Sequence, residues 1–105
     1  MQFRGGMGEL MRQASRVQRK VEQRKEELKD ETVEVSVGND QVKVVASGAL
    51  KVVSMQISPS LLTAEGLEMA QDLVVAGVNA ALSKAQEMVD AEVEKVTKGV
   101  KLPGL

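Results

Sequence analysis

Four cations, Arg12, Arg16, Arg19 and Lys20, are the side chains whose type and spacing come nearest to chemistry in this 105-residue chain. On a helix, at about 100° per residue, they share an arc of roughly 100°, with Arg24 on its flank. A row of cations at helical spacing is what neutralising a phosphate backbone requires, and the arginine fork offers two donors to one phosphate. The plainer alternative is a solvated helix face, partly paired by Glu9, Glu22, Glu26 and Glu27. Arg4 ahead of the row and Lys95, Lys98 and Lys101 late in the chain complete the candidate DNA-binding set. Those three lysines are equally explained as partners of a helix C-terminal dipole.

Other chemistry has little to work with. Cysteine and histidine are both absent, which removes disulfides, thiol and imidazole catalysis and most transition-metal sites. None of the serines has a lysine three residues on, and no G-x-S-x-G, paired-acid or calcium-loop pattern occurs. Gly5-Gly6-Met7-Gly8 lacks the following Lys-Ser or Lys-Thr of a phosphate loop and reads as part of a flexible arm over residues 1–6. The expectation is therefore no catalytic residue, no metal, no cofactor and no small-molecule substrate. Phe3 is the only aromatic residue, so bases cannot be stacked on aromatic platforms either. The longest small apolar run, Leu73 to Val78, is far short of the roughly 20 residues that span a bilayer, and the start lacks a signal-peptide core. A cytoplasmic address is expected.

A net charge of −1 conceals an asymmetry. Residues 1–29 hold eight Lys/Arg and four Glu, a balance of +4, while residues 30–105 hold six lysines and eleven acids, a balance of −5. The basic quarter is the part that carries the cation row.

The elements that must hold this row follow from periodicity. Met7, Leu10, Met11, Ala14, Val17, Val21 and Leu28 recur at three and four, predicting an amphipathic helix from Met7 to about Lys29. Val33, Val35 and Val37 then alternate with polar residues, Gly38-Asn39-Asp40 turns the chain, and Val42, Val44 and Ala46 resume the alternation. After Ser47-Gly48-Ala49 a third strand places Val53, Met55 and Ile57 on one face, and Pro59 ends it. Thr63 is placed to cap a second helix that runs to about Lys98, with Gly99 as its stop. Its stripe includes Leu67, Ala70, Val74, Gly77, Val78, Ala81, Ala85, Met88, Val89 and Val96, and acids lie opposite. Met7, Met11, Met55 and Met88 sit at core spacings, and Asn79 suits a buried contact between helices, with a ligand contact as the other reading. One α+β domain over residues 1–105 is expected, a three-stranded antiparallel sheet with two long helices and a tail at 100–105. If the helices pack side by side they must be antiparallel, so that the start of the first and the end of the second meet at the tip of an arm. Leu73, Val74, Val75, Val78 and Leu82 make the second helix apolar on nearly every side, and a second copy of the chain, in a homodimer, is the simplest cover.

The order of several short pieces resembles the YbaB/EbfC family of bacterial nucleoid-associated proteins. They are Phe3-Arg4-Gly5-Gly6-Met7-Gly8 with Leu10-Met11-Arg12-Gln13-Ala14, then Val42-Lys43-Val44, Ile57-Ser58-Pro59-Ser60-Leu61-Leu62, Asp72-Leu73 with Ala76, Asn79 and Ala80-Ala81, and Leu102-Pro103-Gly104. The resemblance implies an α-β-β-β-α protomer, a tweezer-shaped homodimer with projecting helical arms, and double-stranded DNA as partner, bound in the cytoplasm at the nucleoid with loose sequence preference. Two other classes stay open: a homodimeric module whose arms dock another protein, and an interfacial membrane protein. The basic helix suits the membrane poorly, because its polar face also carries four Glu and it has no Trp.

Overall fold

The computed structural model describes residues 3–98, with side chains from residue 6 onward. The chain runs α1 (Phe3–Leu28), β1 (Thr32–Val37), β2 (Val42–Ser47), β3 (Val52–Ile57), a 3-10 turn (Pro59–Leu61) and α2 (Leu67–Thr97), the expected α-β-β-β-α order. The strands form one antiparallel sheet in the order β1-β2-β3. Helix α1 starts ahead of the first periodic residue Met7, so Phe3 to Gly6 are helical rather than an arm.

The first hairpin closes between the paired residues Val37 and Val42. Its tip puts Gly38, Asn39 and Asp40 at φ of 63°, 55° and 66°, a region that Asn and Asp tolerate better than other side-chain-bearing residues. Ser36 Oγ donates to Asp40 Oδ1 across the tip at 2.6 Å.

The core face of the sheet holds Val33, Val35 and Val37 half-buried and Val42, Val44 and Ala46 fully buried, as the alternation predicts. Burying a valine of this kind contributes about 1.5–3 kcal/mol. Along β3 the alternation slips. Val42 opposes Ile57 and Val44 opposes Met55, but an irregularity beside Val45/Ala46 sets Val52 opposite Ala46. Val53 is the extra residue of that bulge, and it is 58% exposed instead of sharing the core face with Met55 and Ile57.

Helix α2 lies on β1 and β2 through small residues and covers β3 only lightly. Ala70, Gly77, Ala81 and Ala85 are buried against the sheet, joined by Leu61 from the 3-10 turn. Leu73, Val74, Val78 and Leu82 pack half-buried around them, whereas Leu67, Met69 and Val75 are exposed. Leu67, in the first turn of α2, therefore leaves the expected stripe. Asn79 is exposed on the protomer surface and is not a buried contact between α1 and α2.

Thr63 does not cap α2. Its Oγ1 accepts from the Gly66 N–H at 3.1 Å, closing a turn, and the helix begins one residue after Gly66 without a side-chain cap. The turn from Thr63 to Gly66, closed by Gly66 N–H on the Thr63 carbonyl at 3.1 Å, takes up the chain after the 3-10 turn and delays the helix start. At its other end α2 stops at Thr97, and Lys98 turns to φ −59°, ψ 132°. Gly99 and the tail at 100–105 lie outside the described residues.

Helix α1 packs on the second half of α2, with Val17, Leu28 and Val89 buried between them. The end of α2 lies beside the last third of α1, where Lys20, Gln23, Arg24 and Glu27 share a hollow with Lys95 and Val96. The two helix ends consequently do not meet at a common tip. The reason is displacement along the helix axes: the first half of α2 is committed to the sheet, so α1 reaches past the last described turn of α2. The molecule is 76 Å long and 19 × 16 Å across, although α2 alone, at 1.5 Å per residue, is only about 46 Å. Met7 and Met11 ride on this projection, 60% and 67% exposed, instead of filling the core, while Met55 and Met88 are half-buried.

Candidate nucleic-acid interface

The projecting part of α1 carries the cation row. Arg12, Arg16, Arg19 and Lys20 are all exposed, on the side away from buried Val17 and Leu28. Along the axis their charges are spaced about 1.5 Å per residue, roughly 12 Å from Arg12 to Lys20. Among the described residues, Arg16, Arg19 and Lys20 have no carboxylate within salt-bridge distance. Arg12 has one, Glu9, whose Oε2 accepts from Arg12 Nη2 at 2.9 Å one turn away. That pair is exposed on both sides and weak in water.

Arg24 differs from the rest. It is half-buried on the flank facing α2, where Nη2 donates to Glu92 Oε1 at 2.6 Å and Nη1 donates to Glu27 Oε1 at 3.0 Å. The other Glu92 oxygen accepts from Lys95 Nζ at 2.8 Å. The Arg24 hydrogen bond is the leading cause that holds the Glu92 carboxyl down to about 2, with Lys95 second. The same bond raises Arg24 above its ordinary value. Lys29, outside the candidate set, is raised by its hydrogen bond to Glu26. Glu27, one of the acids expected to pair the basic face, and Glu92, which charge patterning does not single out, are thus the carboxylates that engage Arg24. The Glu92–Lys95 spacing of three is legible in a helix, whereas Arg24 and Glu92 lie 68 residues apart.

The structure brings Lys20, Arg24 and Lys95 to one seam between the helices. Lys98 is exposed at the end of α2, the Arg4 side chain lies outside the described side chains, and Lys101 lies outside the described residues. A second open furrow runs along α1 between Met11, Arg12, Ser15, Arg16 and Arg19. These are surface grooves lined by cations, suited to an extended polyanion rather than to a small enclosed ligand.

Elsewhere, Lys84 Nζ donates to the Glu34 carbonyl at 3.0 Å and occupies part of the free edge of β1 with a charge. Among the described residues no three His, Cys, Asp or Glu side chains cluster as metal ligands, and no helix is long and apolar enough to cross a membrane.

Three relatives called nucleoid-associated proteins match over nearly their full lengths. The protein from Acetivibrio thermocellus is 45% identical over 104 residues, covering 98% of this chain and 92% of the relative. That from Pelotomaculum thermopropionicum is 43% identical over 101 residues, 96% of each chain. That from Thermoanaerobacter sp. is 40% identical over 105 residues, covering 98% of this chain and 95% of the relative. The family model describing the YbaB/EbfC DNA-binding family matches residues 3–100. With that match spanning both helices, the sheet and the exposed cation row, the chain belongs to the YbaB/EbfC DNA-binding family.

Proposed function

We propose that this protein is a nucleoid-associated homodimer in the cytoplasm that binds double-stranded DNA with the basic face of α1 and carries out no chemistry of its own. One observation carries the reading: Arg16, Arg19 and Lys20 stand exposed and unpaired, among the described residues, on a helix that projects past the sheet. Cations of this kind contact phosphates, which position a protein on a duplex without reading sequence. Phe3 is the only aromatic residue and the sequence shows no feature that reads base edges, so sequence preference is low and affinity falls steeply with salt, with a log-log slope of about −0.9 per phosphate neutralised. The dimer reading rests on Leu50, Val52 and Val53, exposed along the side of β3 that α2 covers only lightly, and on exposed Val75 of α2. Two-fold symmetry then places one basic arm on each side of the dimer.

The test is a salt titration of duplex binding by the wild-type chain and by Arg12→Glu/Arg16→Glu/Arg19→Glu. The triple variant abolishes binding while helicity and sedimentation mass stay those of a dimer. Retained binding with the same salt slope would move the contact surface elsewhere, and a folded monomer at micromolar concentration would end the dimer reading. A second reading, an arm that docks another protein, draws on exposed Met7, Leu10 and Met11. It takes over if duplex binding is undetectable at about 0.1 M salt.

A further inference from the structure

We infer that the seam between α1 and α2 is a latent phosphodiester site, formed by Lys20, Arg24 and Lys95, that Glu92 occupies in the free protein as an internal competitor of DNA. The inference rests on the DNA reading above and concerns how that surface is regulated from within.

Glu92 is placed as a bound phosphate would be. Its two oxygens are divided between the helices, Oε1 taking Arg24 Nη2 of α1 at 2.6 Å and Oε2 taking Lys95 Nζ of α2 at 2.8 Å. Two oxygens on one anionic centre, each accepting a charge-assisted bond, is also the way a phosphodiester presents its non-bridging oxygens. The seam opens to solvent through the hollow lined by Lys20, Gln23, Arg24, Glu27, Lys95 and Val96. Lys20 belongs both to this hollow and to the exposed row with Arg16 and Arg19, so a phosphate backbone that follows the row is led to the seam. What it meets there are two cations already engaged by a carboxylate that remains ionised. Arg24 and Lys95 exchange one anion for another when DNA arrives, and contribute little net counterion release. Without Glu92, Lys95 stands as an additional free cation and Arg24 keeps only its pairing with Glu27 one turn away, which is weak in water.

The experiment measures duplex affinity against salt for four chains: wild type, Glu92→Gln, Glu94→Gln and Arg24→Gln/Glu92→Gln. Glu94 is an exposed acid two residues away whose loss changes the net charge equally. Glu92→Gln is expected to steepen the slope by about 0.9 to 1.8, each added contact enlarging the affinity lost between 50 and 200 mM salt about 3.5-fold. Glu94→Gln leaves the slope at the wild-type value, and the double variant gives back about 0.9 of the gain. Circular dichroism melts confirm that each chain is folded under the binding conditions. Equal slopes for wild type and Glu92→Gln, or equal effects of Glu92→Gln and Glu94→Gln, overturn the inference while leaving the DNA reading standing. Failure of the wild-type chain to bind duplex sinks the DNA reading itself.

Discussion

Gly48, in the turn after β2, lies directly against the backbone of Leu28 at the end of α1: a Cβ added to Gly48 would stand 2.8 Å from the Leu28 carbonyl carbon and closer still to its oxygen. The same spot is tied by hydrogen bonds, Glu31 N–H to Leu28 O at 3.0 Å and Gly48 N–H to Glu31 O at 2.9 Å. Leu28 is itself 2% exposed, so neither partner can retreat without opening the joint between arm and sheet. Gly48→Ala is therefore expected to destabilise by at least the ~1–3 kcal/mol typical of overpacking, because the obstacle is backbone rather than a side-chain end. A urea midpoint equal to that of the wild type would show that the joint can shift freely.

A graded response is expected at Gly77, where α2 crosses the sheet. A Cβ there would meet Val44 Cγ2 at 3.0 Å and Val37 Cγ2 at 3.4 Å, both methyl groups able to give slightly. Gly77→Ala sets that crowding against up to ~1 kcal/mol of helix propensity and should come out within ~1 kcal/mol of wild type. Gly77→Leu must lift the helix off Val42 and Val44 and should cost ~1–3 kcal/mol or more. Denaturant titration of both variants decides it, and a Gly77→Leu chain as stable as wild type would contradict the close approach.

Single neutralisations on the arm should not be equivalent. Arg16→Gln or Arg19→Gln each removes an unpaired cation and should reduce the salt slope by about 0.9. Arg12→Gln should reduce it less, because Glu9 already draws on that guanidinium. Duplex affinities over a salt series provide the comparison, and a larger effect at Arg12 than at Arg16 would refute the ranking.

Glu92 predicts an acid-side effect of definite sign. Its carboxyl is held down to about 2 in the folded chain by Arg24 and Lys95, below the ordinary carboxylate range of the unfolded chain. Stability from this pair is thus fully present above about pH 4.5 and is lost as pH falls towards 2. Glu92→Gln should melt below the wild type at pH 7, with the difference shrinking between about pH 4.5 and 2. The effect is modest, since both partners touch solvent. A difference that grows on acidification would reverse the sign and exclude the pair as its source.

Much of this protein can be read from neighbours along the chain. The three-and-four spacing from Met7 to Leu28 specifies a helix, and the same spacing puts Arg12, Arg16, Arg19 and Lys20 on its outer face, where the structure finds them. The alternation of Val33, Val35 and Val37 and of Val42, Val44 and Ala46 specifies a hairpin with one buried face. Helical and strand periods are properties of residues within a few positions of one another, so sequence carries them. What it could not carry are relations set by how the elements are displaced in space. Thr63 has the right side chain for a helix cap, yet its oxygens close a turn on the Gly66 N–H, and the chain enters α2 only after that turn. Val53 has the right parity for the core, yet a bulge beside Val45 and Ala46 turns it to solvent. Arg24 looks like one more cation of the row until α2 arrives alongside with Glu92. Local spacing determined the row of charges. The sliding of α1 along α2 decided which of them are free, because Coulomb pairing and close packing depend on distance in space, and residues 68 apart acquire that distance only when the helices dock.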